Sequence, residues 1–139
     1  MKFEHDEHEV PRPWMVDKET LMELRLSTAD RALKAGRYAI ALVEAEELLA
    51  EQPRNWRALR LAACAALKMG DATLAAVCYR SLLDEFPDDS EVLSGLSIAN
   101  FGLADLNASE ALARKTLALT SEDAQAWHCL ALVLERTHR

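Results

Sequence analysis

A 34-residue period runs through this chain. Pro53 and Pro87 lie 34 residues apart, and so do Gly36 and Gly70. Each Pro follows an apolar run that closes on a leucine pair, Leu48-Leu49 before Pro53 and Leu82-Leu83 before Pro87. A further 34 steps carry Leu83 to Leu117, Pro87 to Ser121 and Gly70 to Ala104. Several unrelated landmarks share one spacing, so the chain repeats one supersecondary unit. Such units bury a continuous core only by stacking on one another.

Each period reads as two helices. Asn55 caps the first helix of the middle unit, whose Leu59, Ala62, Ala63 and Ala66 recur at helical spacing. Gly70 ends it by taking a left-handed conformation. Asp71 then caps a second helix with Leu74, Ala75, Cys78, Tyr79, Leu82 and Leu83 on it. Pro87 stops that helix, because it lacks an N–H and disfavours helix in the residue before it. By the same plan Asp17 caps a helix to about residue 35, and its partner covers about 38–51. Asp89 caps a helix to about residue 103, and Asp123 caps a last one to about 137. The run Asn107-Ala108-Ser109-Glu110 has the spacing of a capping box for a helix ending near Leu119. Ala and Leu supply most of the 50% apolar content and aromatics only 6%, a balance that favours helix over strand.

This 34-residue helix–turn–helix unit resembles the tetratricopeptide repeat, whose pattern is W-x2-L-G-x2-Y, then A-x3-F, then P. The first part falls on Leu59-x2-Ala62-Ala63-x2-Ala66, Leu93-x2-Leu96-Ser97-x2-Asn100 and Trp127-x2-Leu130-Ala131-x2-Leu134. Arg25-x2-Thr28-Ala29-x2-Ala32 is its poorest copy. The second part falls on Ala75-x3-Tyr79, Ala41-x3-Ala45 and, weakly, Ser109-x3-Ala113. Pro53 and Pro87 take the proline place and Ser121 replaces it in the third unit. The fold expected is all-α: a right-handed superhelical stack of three such repeats plus a C-terminal capping helix. The repeats span about 22–55, 56–89 and 90–123, and the capping helix about 124–137, within a domain of 17–139. Residues 1–16 have no period and contain Pro11, Pro13 and the acidic run His5 to Glu9. They are expected to be a flexible segment in which Trp14 and Met15 are able to dock.

Small residues at Ala63, Ser97 and Ala131 permit close approach of neighbouring helices. The expected core comprises Ala29, Ala32, Ala41, Leu49, Leu59, Ala62, Ala63, Ala75, Tyr79, Leu83, Leu93, Leu96, Leu117, Trp127 and Leu130.

Composition removes several functions. A formal charge of −7 is unsuited to a general nucleic-acid binder, which needs many phosphate contacts. The longest apolar runs, such as Leu61–Leu67, fall far short of the ~20 residues that span a bilayer. The N-terminus does not have the pattern of a secretory signal, and three cysteines without CxxC fit a reduced, cytoplasmic setting. There is no phosphate loop, no HExxH and no zinc spacing, so no cofactor, metal or catalytic set is expected. His5-x2-His8 reads as part of an acidic tail. Cys64 and Cys78 read as small buried residues, and Cys129 beside His128 is no dyad, since adjacent helical residues point apart.

Surface recognition remains. The concave face of a repeat stack is its usual binding surface, and the resemblance implies that the first helix of each unit lines it. Opposite the packing residues those helices carry Glu23, Leu26, Asp30, Leu33 and Lys34, then Arg57, Arg60, Cys64, Leu67 and Lys68. The third unit carries Glu91, Ser94, Ile98, Phe101 and Gly102, and the last helix Gln125, His128 and Leu132. Apolar Leu26, Leu33, Leu67, Ile98, Phe101 and Leu132 thus combine with a basic band of Arg57, Arg60 and Lys68. Such a groove suits a protein segment with apolar anchors and some acid. Some family members clamp the C-terminal carboxylate of heat-shock chaperones with Lys, Asn and Arg. The matching places here hold Leu26, Asp30, Leu61, Glu91 and Gly95, and Asp30 and Glu91 would repel a carboxylate. Size, acidity and repeat number resemble the small repeat chaperones of bacterial type III secretion systems. The expectation is a non-catalytic adaptor that holds a partner segment. The alternatives are a regulatory or assembly subunit of a larger complex and a self-associating scaffold, a homodimer included.

Overall fold

The computed structural model describes residues 16–137. Expectations that concern residues 1–15, namely a flexible tail, the His5/His8 pair and docking by Trp14 and Met15, lie outside the described residues. The described chain forms seven helices and no strand: α1 (Lys18–Lys34), α2 (Tyr38–Glu51), α3 (Trp56–Lys68), α4 (Ala72–Glu85), α5 (Ser90–Gly102), α6 (Leu106–Leu119) and α7 (Ala124–Arg136).

Short polar side chains start most of these helices. The carboxylates of Asp17, Asp71, Asp89 and Asp123 and the amide oxygen of Asn55 accept hydrogen bonds from backbone N–H groups of the first turn. Each satisfies donors that the helix itself leaves unpaired. The start of α6 differs from expectation. Asp105, 34 residues after Asp71, is its cap and accepts from the N–H of Ala108. The apparent capping box at Asn107 therefore lies inside the helix, where Ser109 is fully buried.

The first helix of each unit ends in one repeated turn. Gly36, Gly70 and Ala104 have φ of 79°, 80° and 63°. The following N–H groups reach back five residues, Arg37 to Ala32, Asp71 to Ala66 and Asp105 to Asn100, at 2.8–2.9 Å. Glycine adopts this left-handed turn without a steric penalty; alanine does not.

Successive helices pack antiparallel across these turns. In addition α1 packs on α3, α3 on α5 and α5 on α7, whereas α2, α4 and α6 make no such contacts among the described residues. The odd-numbered helices are therefore crowded together on the inner side of the curve.

The core is made chiefly of alanine. Ala29, Ala45, Ala58, Ala63, Ala66, Ala75 and Ala76 are completely buried, and Leu48 and Leu82 fill the spaces between them. At two places the close approach needs a specific pair. The Tyr79 ring lies so tightly on Gly95 that a Cβ there would sit 2.3 Å from it. Between α5 and α6, Ser97 Oγ donates to the Ser109 carbonyl and Ser109 Oγ to the Ser97 carbonyl, both at 2.8 Å. Cys129 Sγ of α7 lies 3.1 Å and 3.3 Å from these two hydroxyls. Buried hydroxyls are tolerable here because every one has partners.

Most expected core residues are buried, including Ala63, Tyr79, Leu93 and Leu130. Leu49, Leu59, Leu83 and Leu117 are only half-buried. Trp127 is a correction: it is 54% exposed, and Ala131 on the same helix is exposed too. No further helix of the described chain follows to cover them.

Ala104 carries backbone strain that glycine would relieve. Ala104→Gly should raise stability by about 0.5–1 kcal/mol, because the left-handed penalty of ~1–2 kcal/mol exceeds the added chain entropy of glycine. Gly95→Ala should instead lose about 1–2 kcal/mol. Overpacking the Tyr79 ring outweighs the gain of up to ~1 kcal/mol in helix propensity. Chemical denaturation of both variants checks the two signs.

Candidate functional site

The crowding of α1, α3 and α5 leaves an open groove of about 610 Å³ along their inner faces. Leu26, Leu33, Leu61, Cys64 and Trp56 give it an apolar floor and wall, and Glu23, Asp30, Glu91, Arg57 and Arg60 give it a charged rim. A larger open hollow of about 1060 Å³ lies beside the start of α1, bordered by Lys18–Arg25 with Glu51 and Gln52.

Of the residues expected on the concave face, the structure brings together Glu23, Leu26, Asp30, Leu33, Arg57, Arg60, Cys64 and Glu91. Leu26 is 3% exposed and belongs to the core, so it forms the groove floor and no free anchor. Leu33 is half-buried and packs on the core from the groove side. Leu67 also packs on the core and does not line this groove. Ile98, Phe101 and Leu132 are half-buried further along the stack, and His128 is exposed on α7. The Arg136 guanidinium lies 4.6 Å from the centre of the Phe101 ring and covers one of its faces. Lys34 is exposed and pairs with Asp30 at 2.9 Å, while Lys68 is exposed without a partner among the described residues.

The expected basic band is not free. Arg57 pairs with Glu23 at 2.6 Å across α3 and α1, residues 34 apart and thus at matched repeat positions. Arg60 reaches Asp89 at 2.9 Å and Glu91 at 3.1 Å, and it lies over the Trp56 ring at 5.9 Å. Trp56 packs edge-to-face on Phe86 at 5.7 Å. Arg60 thus ties α3 to the first turn of α5, through the same aspartate that caps it. Three lining carboxylates meet two lining guanidinium groups, so the rim is close to neutral and slightly acidic. Trp56 escaped the sequence reading. Its signal is position: it precedes Arg60 by one helical turn and so shares its face.

The ionisable groups behave accordingly. Burial raises the Asp89 carboxyl, but the Arg60 hydrogen bond and the N–H groups of Val92 and Glu91 outweigh it and hold it below the ordinary 3.8. Burial pushes the Cys78 thiol up to about 11 and raises Cys64, whose Sγ lies 3.7 Å from the Tyr79 hydroxyl. Neither thiol is an activated nucleophile. No group of three or more His, Cys, Asp or Glu side chains among the described residues could hold a metal ion, and no described helix is long and apolar enough to cross a membrane.

Two substitutions separate the arginines. Arg57→Glu should change stability by less than about 1 kcal/mol, since its pair is exposed. Arg60→Glu should cost on the order of 2 kcal/mol, because it sets a third carboxylate beside Asp89 and Glu91. The depressed Asp89 carboxyl adds a pH signature. Its stabilisation is complete above the unfolded value of about 4 and is lost as pH falls through the lower folded value. Asp89→Asn should therefore flatten part of the stability loss expected of the natural chain below pH ~4. Urea titrations at neutral and acid pH test both statements.

Comparison with known proteins agrees with this architecture. No curated protein sequence matches the chain. Among solved structures, MamA residues 41 to the end from Desulfovibrio magneticus RS-1 superposes with a TM-score of 0.79 at 19% identity, covering 84% of this chain and 66% of that one. The first repeat domain of Spaghetti (RPAP3), bound to the HSP90 peptide SRMEEVD, gives 0.77 at 16% identity, covering 89% and 98%. The Sgt2 domain from Aspergillus fumigatus gives 0.74 at 20%, covering 93% and 85%. The chain spans 65% and 66% of two of the MamA chains it matches, and 73% and 71% of two others. At these identities the likeness is one of fold. The tetratricopeptide repeat family model matches residues 26–90 and again 60–124, an overlap of 34-residue steps that covers most of the described helices. The chain belongs to the tetratricopeptide repeat family.

Proposed function

We propose that this chain is a non-catalytic module that holds a helix or an extended segment of a partner protein in the groove of α1, α3 and α5. The single observation that carries the reading is the combination of an apolar floor with a nearly neutral charged rim, on the inner faces of three helices that pack on one another. Concave, mostly apolar sites with a few placed polar groups are what protein segments dock into. The Spaghetti (RPAP3) domain, which shares this fold, was solved with a peptide bound.

The partner's segment is read as mainly apolar. Acid in it has to compete with Glu23 for Arg57 and with Asp89 and Glu91 for Arg60. The same residues argue against an acidic chaperone tail such as SRMEEVD. Among the places compared with the carboxylate clamp, Leu26 and Leu61 are buried, Asp30 is held by Lys34 and Glu91 by Arg60. The titles of the proteins named above do not mention secretion, and the role proposed is partner holding. Ile98, Phe101, Leu132, Leu67, Lys68 and His128, on α3, α5 and α7, are proposed as secondary contacts outside the groove lining.

Site-specific photo-crosslinking in the native cell tests the groove. A photoreactive residue at position 27 or 57 should capture a protein partner, and one at position 77, on the outer side of α4, should not. Trp56→Ala should then weaken that complex by about 2 kcal/mol, roughly thirtyfold, while the loss of its Phe86 contact costs only about 1 kcal/mol of stability. Capture only from position 77 would contradict the reading.

A further inference from the structure

The groove of α1, α3 and α5 carries its charges in an order that favours one sign of partner over the other. Glu23, Arg57 and Glu91 hold the same place in three successive repeats, 34 residues apart. Acid therefore stands on α1 and α5, and base on α3 between them. One turn further along α3, Arg60 is bound by Asp89 and Glu91, and its side chain is only 24% exposed. The side chains of Glu23 and Glu91 are 63% and 66% exposed. Asp30, about two turns beyond Glu23 on α1, lines the same groove. The two signs also differ in what they have left to offer. Glu23 meets Arg57 through Oε1, and Glu91 meets Arg60 through Oε2. An ionised carboxylate has about four acceptor sites, so each takes a further donor without releasing its arginine. An incoming acid has no such opening. At Arg60 it must displace Asp89 or Glu91, and at Arg57 it meets the charge of Glu23.

We infer that the occupant of this groove is a basic amphipathic helix of a partner protein, with lysines or arginines on both flanks of an apolar stripe. The inference rests on the groove reading above and gives it a sign and a shape. An amphipathic helix offers one apolar stripe bordered by polar residues on either side. The stripe lies on Leu33, Leu61 and Trp56, which line the groove between its acidic sides. Bases on one flank face Glu23 and Asp30 of α1, and bases on the other face Glu91 of α5. Glu23 and Asp30 are seven residues apart, so bases seven apart on a helix lying along α1 meet both. An extended strand sends successive side chains to opposite faces and cannot serve the floor and both sides at once. Arg57 and Arg60 remain in their pairs throughout and keep the receiving carboxylates in position.

Two synthetic helices of about 16 residues, ~24 Å long, test this on the full chain. They share one leucine stripe and carry either lysine or glutamate on both flanks. Fluorescence anisotropy at low salt should show the lysine peptide binding about tenfold more tightly, since several exposed ion pairs act together. The ratio should shrink to about twofold at 0.5 M salt, where exposed charges are screened. A central proline should cost the lysine peptide most of its affinity. Glu23→Gln with Glu91→Gln should remove the preference. Glu46→Gln with Glu47→Gln makes the same change of charge on exposed residues of α2 outside the groove, and should leave the preference intact. A photoreactive residue at position 27 should crosslink the lysine peptide, and one at position 77 should not. Equal binding of the two peptides, a preference for glutamate, no binding of the lysine peptide or a proline peptide that binds as well would overturn the inference. If position 27 still crosslinks the glutamate peptide, the groove reading survives that loss. Crosslinking from position 77 alone, or a preference lost equally with the α2 pair, would overturn both.

Discussion

Close helix approach over small side chains is the constraint on which the rest of this structure depends. Ala63, Ala66 and Ala75 are completely buried where α3 meets α4, and Gly95 receives the Tyr79 ring where α4 meets α5. In the third unit the same closeness is kept by two serines that exchange hydrogen bonds at 2.8 Å. An interior packed this tightly has no slack for one extra methyl group. Each unit therefore keeps a small residue at the matched place, Ala29, Ala63 or Ser97, and the same turn at residues 36, 70 and 104.

The curvature follows from that packing and produces the groove. The odd-numbered helices touch along the inner side and the even-numbered ones do not. A surface lined by successive first helices is thus pre-formed, so the proposed binding would need little ordering of the chain. The arginines serve this surface in a role different from the one their charge suggests. Arg57 and Arg60 tie neighbouring first helices together through Glu23, Asp89 and Glu91. They hold the wall in place before any partner arrives. Their pairing also removes most of the positive potential from the rim, which is why the proposed partner segment is mainly apolar.

The 34-residue period made most of the fold legible. Helix limits, five of the side-chain caps and the left-handed turns at Gly36 and Gly70 follow from local chemistry that a single strand of sequence carries. The third unit was harder to read because its side chains depart from the pattern. Ser109 looks like a capping residue by local spacing, and only its partner Ser97, twelve residues away, shows it to be core. Trp127 looks like core by register, but its burial depends on a neighbour that the register does not supply. The groove was legible as a face and not as an electrostatic surface. Charge counting finds arginines; whether they are free depends on acids on the next helix. Glu23 and Arg57, opposite in charge at matched repeat positions, were the one trace of that pairing visible in the sequence.

The central claim is that the first helices of the repeats form the working surface. Amide hydrogen exchange, measured on the chain alone and then with the partner it captures, tests this most directly. Added protection should appear in α1, α3 and α5 with α2, α4 and α6 nearly unchanged, because each helix's amides report on its own local opening. Protection concentrated in α2 and α4, with the first helices unaltered, would contradict it.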